Sequence, residues 1–156
     1  MTQTDDEIIV YTDGGCRLDK HIGSWAAIIS AGGSIHELSG GERDTTNNRM
    51  ELSAAINALS FVADNPAMRG RQVRLFCDSQ YLKNGITVWI KNWKRNGWRT
   101  AAKKSVLNQD LWLRLDELCA ATDVQWCWVR GHSGDEMNER CDALCNIEMD
   151  KLEWQG

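Results

Sequence analysis

The order in which strand-like and helix-like segments follow one another is the strongest constraint on the fold of this chain. Three apolar, β-branched runs come first, at about 8–12, 24–30 and 34–39, and glycine-containing turns separate them. They predict a meander of three antiparallel strands. Two further strand patterns, 72–77 and 124–129, alternate with helical patterns. Because such crossovers are right-handed, this order predicts an α/β fold with a five-stranded mixed sheet and helices on both faces.

The first helical pattern has a clear beginning and end. It follows a polar cluster, with Thr45 or Thr46 as the N-cap, and the Asn65-Pro66 pair ends it. The run 72–77 comes next along the chain. Its largely apolar character predicts a strand that is buried on both faces.

The second half of the chain contains shorter helical patterns. Two amphipathic segments, 79–86 and 87–96, are predicted to break at Gly85 and Gly97. A helix at about 108–121 follows. The last helix is predicted at about 136–152, and its apolar face contains Met137, Cys141 and Leu144.

The size and composition of the chain are typical of one domain. With 156 residues we expect a single domain over 1–156, with its core at about 8–152. No apolar run approaches the roughly 18 residues of a membrane span, and the acidic start is unlike a signal peptide. We therefore expect a cytosolic protein whose cysteines are free and mostly buried rather than paired in disulfides. The cysteines are Cys16, Cys77, Cys119, Cys127, Cys141 and Cys145.

Four acidic residues lie where they can form one site. Asp13 directly follows the first predicted strand, and Asp78 follows the fourth. If these strands are parallel neighbours, both carboxylates lie at the carboxyl edge of the sheet, where open α/β sheets bind ligands. Glu51, in the first turn of its helix, and Asp142, in the last helix, each border an apolar face. Clustered carboxylates repel one another unless cations neutralise them, and hard oxygen ligands suit Mg²⁺.

Each of these acids alone also has an ordinary structural interpretation. Asp13 and Asp78 suit turns at the ends of strands, because aspartate is favoured there for local reasons. Glu51 and Asp142 suit the exposed faces of helices. The choice between the two interpretations depends on the residues that surround the four acids.

Four motifs around these acids resemble those of the bacterial type 1 ribonucleases H. They occur in the same order and spacing as in that family, and the resemblance extends over about residues 8–145. The second and third motifs are the most specific. The motifs are Tyr-Thr-Asp-Gly-Gly-Cys at 11–16, Thr-Thr-Asn-Asn-Arg-Met-Glu-Leu at 45–52, Asp-Ser-Gln-Tyr at 78–81 and Asn-Glu-Arg-Cys-Asp at 138–142.

The resemblance implies a ribonuclease H-like fold with strand order 3-2-1-4-5. It also implies an endonuclease that hydrolyses the RNA strand of RNA/DNA hybrids by a two-metal-ion mechanism and leaves 5′-phosphate and 3′-hydroxyl ends. The metal ligands would be Asp13, Glu51, Asp78 and Asp142, holding two Mg²⁺ ions that Mn²⁺ can replace. We expect a monomer that needs no small-molecule cofactor and binds no membrane.

His132 lies between the fifth predicted strand and the last helix, in a Gly-His-Ser-Gly sequence. The local sequence alone favours an exposed loop histidine, although histidine can move protons near neutral pH. The segment 129–132 resembles the Val-Lys-Gly-His motif of the family, which implies a catalytic residue, either a general base or an aid to product release. Two other sites are disfavoured, since the chain has neither a Gly-x-Ser-x-Gly elbow nor a Cys-x-x-Cys pair for zinc. The zinc ligands would have been Cys127, His132, Cys141 and Cys145.

One region of the chain is strongly basic, although the whole chain has a formal net charge of −4. Residues 79–109 contain no acid but include Lys83, Lys91, Lys94, Arg95, Arg99, Lys103 and Lys104. Four tryptophans lie in or beside it, namely Trp89, Trp93, Trp98 and Trp112. Positive charge neutralises phosphates and flat rings pack against bases or sugars, so this pattern is typical of nucleic-acid binding. For Trp93 and Trp98 we favour a small hydrophobic core instead.

The family resemblance assigns this region to a basic helical protrusion at about 87–104. It implies that Trp89 and Trp112 line a channel for the DNA strand. The other predicted substrate contacts are Cys16, Thr46 in a phosphate pocket, Asn47, Gln80, Asn108, Lys91, Lys94, Arg95 and Arg99. One departure from the family lies at 18–24, where Asp19 replaces an asparagine that contacts the hybrid and so places an acid near phosphates.

Two other functions use parts of the same pattern. An integrase-like strand-transfer enzyme or a junction resolvase also has clustered carboxylates. Such enzymes do not combine them with a basic protrusion and with these four motifs. A module that binds hybrids without cutting them is disfavoured because all four acids and His132 are present. Metal-dependent turnover distinguishes an enzyme from such a module.

Overall fold

A computed structural model of the protein describes residues 7–100, 104–129 and 136–155. One mixed sheet has the strand order β3-β2-β1-β4-β5, which confirms the predicted sheet and its order. β1, β2 and β3 pair antiparallel, whereas β4 pairs parallel with both β1 and β5. The strands are β1 (Glu7–Arg17), β2 (Ile22–Ala31), β3 (Ser34–Arg43), β4 (Gln72–Cys77) and β5 (Val124–Trp128).

Helices cover both faces of this sheet. α1, with α4 beside it, packs on one face, and α5 packs on the other face against β1, β2 and β3. The helices are α1 (Asn47–Asp64), α2 (Gln80–Asn84), α3 (Ile90–Arg95), α4 (Gln109–Ala121) and α5 (Glu136–Gln155). None of these described helices is both long and apolar enough to cross a membrane.

β2 separates two hydrophobic cores. Ala27 and Ile29 belong to the core on the α1 side, whereas Ala26 and Ile28 belong to the core beneath α5. The alternation follows from the period of two in a strand, whose successive side chains point to opposite faces. The antiparallel half of the sheet is therefore buried on both sides.

The prediction that β4 is buried on both faces is wrong. Val73, Leu75 and Cys77 are fully buried on the α1 side, but Arg74 and Phe76 on the other side are only half-buried. The reason is that α5 packs mainly over β1, β2 and β3. The guanidinium of Arg74 lies 5.5 Å from the centroid of the Phe76 ring and partly covers it.

The predicted helix break at Gly85 is also wrong. A π-helical turn, Gly85–Trp89, joins α2 to α3 without interruption. Gly85 is buried, and a Cβ at this position would collide with the indole ring of Trp112. This glycine therefore permits a close contact between α4 and the π-helical turn. Gly97, at a φ of 63°, does follow the end of α3 as predicted.

The boundaries of α1 agree with the sequence pattern. The hydroxyl of Thr46 accepts a hydrogen bond from the backbone N–H of Arg49 at 3.1 Å, which identifies Thr46 as the N-cap. Asn65 is the C-cap, so α1 ends before Pro66 as predicted. α5 extends three residues beyond its predicted end at 152, to Gln155.

Candidate functional site

The register between β1 and β4 brings Asp13 level with Asp78. The parallel pairing runs as far as Tyr11 opposite Phe76, and the same register two residues further places the two aspartates side by side. Asp13 was predicted to follow its strand, but it lies within β1, because β1 continues to pair with β2 after its pairing with β4 ends. The predicted meeting of these carboxylates is confirmed.

Gly14 brings α1 close to the same point. A Cβ on Gly14 would lie 2.6 Å from the backbone N of Glu51 and 2.6 Å from the carbonyl carbon of Met50, so only glycine permits this approach. The N–H of Gly14 donates to Oδ1 of Asp13 at 2.9 Å and also hydrogen-bonds the carboxylate of Glu51. Glu51 starts the second turn of α1, not the first as predicted, since α1 begins at Asn47.

Asp13, Glu51 and Asp78 form an acidic trio. One carboxylate oxygen from each lies within 4.8 Å of the other two, and Asp13 is only 8% exposed. The Oε2 atom of Glu51 is buried and has no hydrogen-bond partner among the residues that the structure describes. Burial raises the pKa of Glu51 well above its ordinary value, and the charges of Asp13 and Asp78 raise it further.

This donor set fits a divalent cation. Three carboxylates that come together offer hard oxygen ligands, and the buried Oε2 of Glu51 has no compensating partner within the described ranges. A bound cation would satisfy this atom and neutralise the mutual repulsion of the trio. The structure therefore supports a metal site at the carboxyl edge of β1 and β4.

Asp142, the fourth predicted ligand, lies half-buried on α5 and is not part of the acidic trio. Its charge acts on the same thiol, that of Cys145, as the charges of Asp13 and Glu51. Burial raises the pKa of the Cys145 thiol to about 12, and the negative charges of Asp13, Glu51 and Asp142 add to that shift. The structure thus places Asp142 on α5, while its role as a ligand stays a prediction.

The cysteines do not form a metal site of their own in the described parts of the chain. All six are free thiols, as predicted, with Cys77, Cys141 and Cys145 buried and the other three half-buried. In the described ranges, the acidic trio is the group of potential ligands that come together, and it contains no cysteine. His132, the remaining zinc candidate and predicted catalytic residue, lies outside the described residues.

Several predicted substrate contacts lie close in sequence to members of the acidic trio. Thr46 and Asn47 are exposed at the N-terminus of α1, the helix that carries Glu51. Gln80 is exposed at the start of α2, two residues after Asp78. All three thus lie at helix N-termini close in sequence to a carboxylate of the trio, where backbone N–H groups favour anions.

Two further predicted contacts are less exposed. Cys16 is half-buried in β1, and burial raises the pKa of its thiol, with a smaller contribution from Glu42. Asn108 is half-buried at the N-cap of α4, with a φ of 60°. Both lie in the described part of the chain, and their contacts with substrate stay predictions.

The basic side chains lie along α3 and the segment that follows it. Lys91, Lys94, Arg95 and Arg99 are all exposed. The ammonium of Lys94, however, forms an ion pair of 2.9 Å with Asp116 of α4. Part of its charge is therefore neutralised within the protein, while its contact with the hybrid stays a prediction.

The tryptophans of the basic region divide between core and surface. Trp93 lies 5.9 to 6.0 Å from Trp89 and Trp98 and 5.5 Å from Trp112, measured between ring centroids. Trp93 and Trp98 pack against the main core, which confirms their structural role. Trp112 is fully buried, so in this conformation its ring has no surface for a DNA strand; Trp89 is half-buried.

A polar network links the N-termini of α1 and α4, and the sequence reasoning missed three of its members, Arg49, Tyr81 and Asp110. Arg49 donates to both carboxylate oxygens of Asp110, at 3.1 and 2.9 Å, and to Oδ1 of Asn108 at 3.2 Å. Nδ2 of Asn108 donates to the hydroxyl of Tyr81 at 3.1 Å. Arg49 and Tyr81 lie inside the two most specific motifs, which was the available signal.

The segment that departs from the family begins with a short turn. Asp19 is exposed in a 3-10 turn, Leu18–Lys20, that follows β1. Arg17, just before the turn, forms ion pairs of 2.8 Å with both Asp150 and Glu153 of α5. The turn is thereby attached to α5, at the end of the strand that carries Asp13.

Comparison with known proteins agrees with this geometry. The RNase H family model matches residues 5–149. A ribonuclease H of Hydrogenovibrio crunogenus is 53% identical over 146 residues, covering 94% of this chain and 97% of that protein. A ribonuclease HI of Pseudomonas aeruginosa is 50% identical over 141 residues, covering 90% and 92% respectively.

The fold comparison points to the same family. The crystal structure of LC9-RNase H1, described as a type 1 RNase H with the type 2 active-site motif, matches with a TM-score of 0.80 and 26% identity. The match covers 97% of this chain and 75% of that one. With the family model and the relatives covering nearly the whole chain, and with the acidic trio in place, this protein belongs to the ribonuclease H family.

Proposed function

We propose that this protein is an endonuclease that hydrolyses the RNA strand of RNA/DNA hybrids with the help of bound Mg²⁺. The observation that carries the proposal is the acidic trio, in which Oε2 of Glu51 is buried and has no hydrogen-bond partner among the described residues. Membership of the ribonuclease H family supports the substrate class and the reaction.

The ligands that we propose are Asp13, Glu51 and Asp78, with Asp142 approaching from α5. Two Mg²⁺ ions, or Mn²⁺ in their place, would supply the Lewis acidity that activates a water and stabilises the leaving oxygen. The chain itself holds the carboxylates in place, since Gly14 donates to both Asp13 and Glu51. Attack by water in line with the leaving oxygen leaves a 5′-phosphate and a 3′-hydroxyl on the RNA.

His132 is proposed to move a proton during this reaction, either as general base or in product release. Its segment follows β5, whose last residue Trp128 pairs with Cys77, the residue before Asp78. β5 therefore ends beside the residue that precedes Asp78, and His132 lies four residues further along the chain. This position in the chain, together with the motif at 129–132, supports the proposal.

The helix N-termini around the trio are the proposed recognition surface. Thr46, Asn47, Gln80 and Asn108 offer hydroxyl and amide groups that can donate to phosphates or bond to 2′-hydroxyls. Contacts to 2′-hydroxyls let a protein distinguish RNA from DNA. The exposed basic side chains of α3, Lys91 and Arg95, would add a sequence-independent attraction for the phosphate backbone of the hybrid.

The remaining expectations concern the state of the protein in the cell. Action as a monomer, independence of small-molecule cofactors and a cytosolic location stay predictions. A hybrid-binding module without activity is the second candidate function, and the carboxylate geometry disfavours it because binding alone does not require three carboxylates within 4.8 Å.

The test is cleavage of an end-labelled RNA/DNA hybrid with Mg²⁺, compared with EDTA. Matched RNA duplex, DNA duplex and single-stranded RNA serve as substrate controls. We expect metal-dependent cutting of the RNA in the hybrid alone. Asp13→Asn should abolish this cutting and leave hybrid binding largely intact. Binding of the hybrid by the wild-type protein without cutting, in both Mg²⁺ and Mn²⁺, would favour the binding module instead.

A further inference from the structure

We propose that Tyr81 is a positioning residue for substrate binding and that it acts through the side-chain amide of Asn108. In this arrangement the buried Trp112 orients Tyr81, and Arg49 fixes the other side of the amide. The inference rests on the proposed function, because it assumes that Asn108 contacts the hybrid.

The amide of Asn108 is held from both sides. Its Oδ1 accepts a hydrogen bond from Arg49 at 3.2 Å, and its Nδ2 donates to the hydroxyl oxygen of Tyr81 at 3.1 Å. A guanidinium group can only donate, so the oxygen of the amide must face Arg49 and the nitrogen must face Tyr81. The ion pair of Arg49 with Asp110 keeps that guanidinium in place.

Trp112 determines how the hydroxyl of Tyr81 is used. Its Nε1 donates to the Tyr81 oxygen at 3.0 Å, and an indole N–H has no capacity to accept. The Tyr81 oxygen must therefore accept from both Trp112 and Asn108. The Tyr81 ring contacts two tryptophans, and its centroid lies 5.5 Å from that of Trp89 and 5.5 Å from that of Trp112.

Trp112 has little freedom to move away from this position. It is fully buried, and its ring packs directly on the backbone of Gly85, where a Cβ would collide with it. The indole N–H is therefore a fixed reference point for the hydroxyl of Tyr81. Trp112 can therefore affect substrate binding through Tyr81 and Asn108, although its own ring is buried.

Asn108 does not use its side chain for its own helix. It occupies the N-cap of α4 but makes no side-chain capping hydrogen bond there, although all of α4 is described. Asparagine is among the best N-cap residues when it does cap. Its amide is instead directed to Arg49 and Tyr81, and one N–H remains for an acceptor after the bond to Tyr81. A phosphate or 2′-hydroxyl oxygen of the hybrid is the acceptor that we propose.

The first experiment is a double-mutant cycle on hybrid cleavage, with Tyr81→Phe, Asn108→Gly and the pair. Glycine is chosen at 108 because it tolerates the positive φ of this residue. Loss of one orienting hydrogen bond predicts a KM about 3- to 10-fold higher for Tyr81→Phe, with kcat changed by less than about twofold. In the Asn108→Gly background, Tyr81→Phe should have no further effect on KM.

A stability control separates positioning from packing. Val62→Ala removes buried volume near the far end of α1 and should lower the melting temperature without changing KM. If Tyr81→Phe raises KM equally with and without Asn108, Tyr81 does not act through this amide and the inference fails. An unchanged KM in Tyr81→Phe also overturns it, whereas a wild-type protein that cleaves no hybrid refutes the proposed function instead.

A second measurement does not depend on activity. In the NMR spectrum of the protein without substrate, the side-chain amide protons of Asn108 should exchange faster with water in Tyr81→Phe than in the wild type. The indole N–H resonance of Trp112 should shift as well, since it loses the same acceptor. Unchanged exchange and an unchanged indole resonance would contradict the network.

Discussion

The backbone of Gly14 in β1 lies so close to Glu51 in α1 that a Cβ on residue 14 would stand 2.6 Å from the amide nitrogen of Glu51. The strand and the helix are far apart in sequence, yet this contact sets the distance between two of the three clustered carboxylates. The acidic trio therefore depends on Gly14, which has no side chain and supplies no metal ligand of its own.

Gly14→Ala should separate the helix from the strand and weaken the metal site. Overpacking of this kind costs typically about 1–3 kcal/mol, and the displaced Glu51 should raise the Mg²⁺ concentration needed for half-maximal cleavage. Gly15→Ala is the matched control, because a Cβ at Gly15 meets nothing within 4 Å. Thermal unfolding and an Mg²⁺ titration measure both effects, and equal behaviour of the two variants would disprove the role of the contact.

Glu51→Gln should stabilise the metal-free protein at neutral pH. The pKa of Glu51 is raised in the folded state by burial and by the charges of Asp13 and Asp78, so the folded protein holds this proton more tightly than the unfolded chain. The free energy of unfolding then falls as the pH rises from the unfolded pKa of about 4.3 through the folded pKa. Because glutamine does not ionise, the variant does not lose this part of the free energy of unfolding.

Melting temperatures in EDTA across this pH range test the effect. The variant should melt a few degrees higher than the wild type near neutral pH, and the difference should disappear below about pH 4, where both states are protonated. Added Mg²⁺ should raise the melting temperature of the wild type more than that of the variant. A variant that is less stable at neutral pH in EDTA would refute the electrostatic explanation.

Asp19→Asn should improve binding of the hybrid. Asp19 is exposed in the turn after β1, and Arg17 attaches that turn to α5. Removing one negative charge near phosphates should lower KM by about 2- to 5-fold at low salt, with a smaller change at high salt because ions screen the repulsion. Asp64→Asn makes the same change of charge at the far end of α1 and should leave KM unaltered. Equal effects of the two substitutions would mean that only the net charge matters.

Lys91→Ala should impair hybrid binding more than Lys94→Ala. Both lysines are exposed on α3, but Lys94 is already paired with Asp116 at 2.9 Å. A lysine that neutralises one phosphate contributes about −0.7 to −0.9 to the slope of log affinity against log salt concentration. Binding measured at several salt concentrations should show that loss in slope for Lys91→Ala and a smaller one for Lys94→Ala. The reverse ranking would contradict the assignment.

Several features of the site follow from short stretches of sequence. Asp13 and Asp78 meet because each follows an apolar strand pattern, and parallel neighbours bring such positions to one edge of the sheet. The N-cap Thr46 and the end of α1 at Asn65 follow from local capping and from the proline at 66. These features depend on neighbouring residues or on simple periodicity, so they could be predicted.

Other features could not be predicted because they depend on contacts between distant parts of the chain. Gly85 resembles a helix breaker in the sequence, but its role is to admit the ring of Trp112. Phe76 lies in a sequence pattern typical of a strand buried on both faces. It is nevertheless half-buried, because α5 packs mainly over the antiparallel strands β1, β2 and β3. Periodicity describes one element at a time and contains no information on which neighbour covers it.

The sequence by itself therefore determined the five strands, their order along the chain and the acids that form the trio, since local patterns and motifs encode these. Only the tertiary structure decided that Trp112 is buried and that Tyr81 and Arg49 hold Asn108 between them. The physical reason is that a hydrogen bond or a close contact depends on the relative placement of helices and strands in space. That placement is a property of the packed fold and not of any single segment.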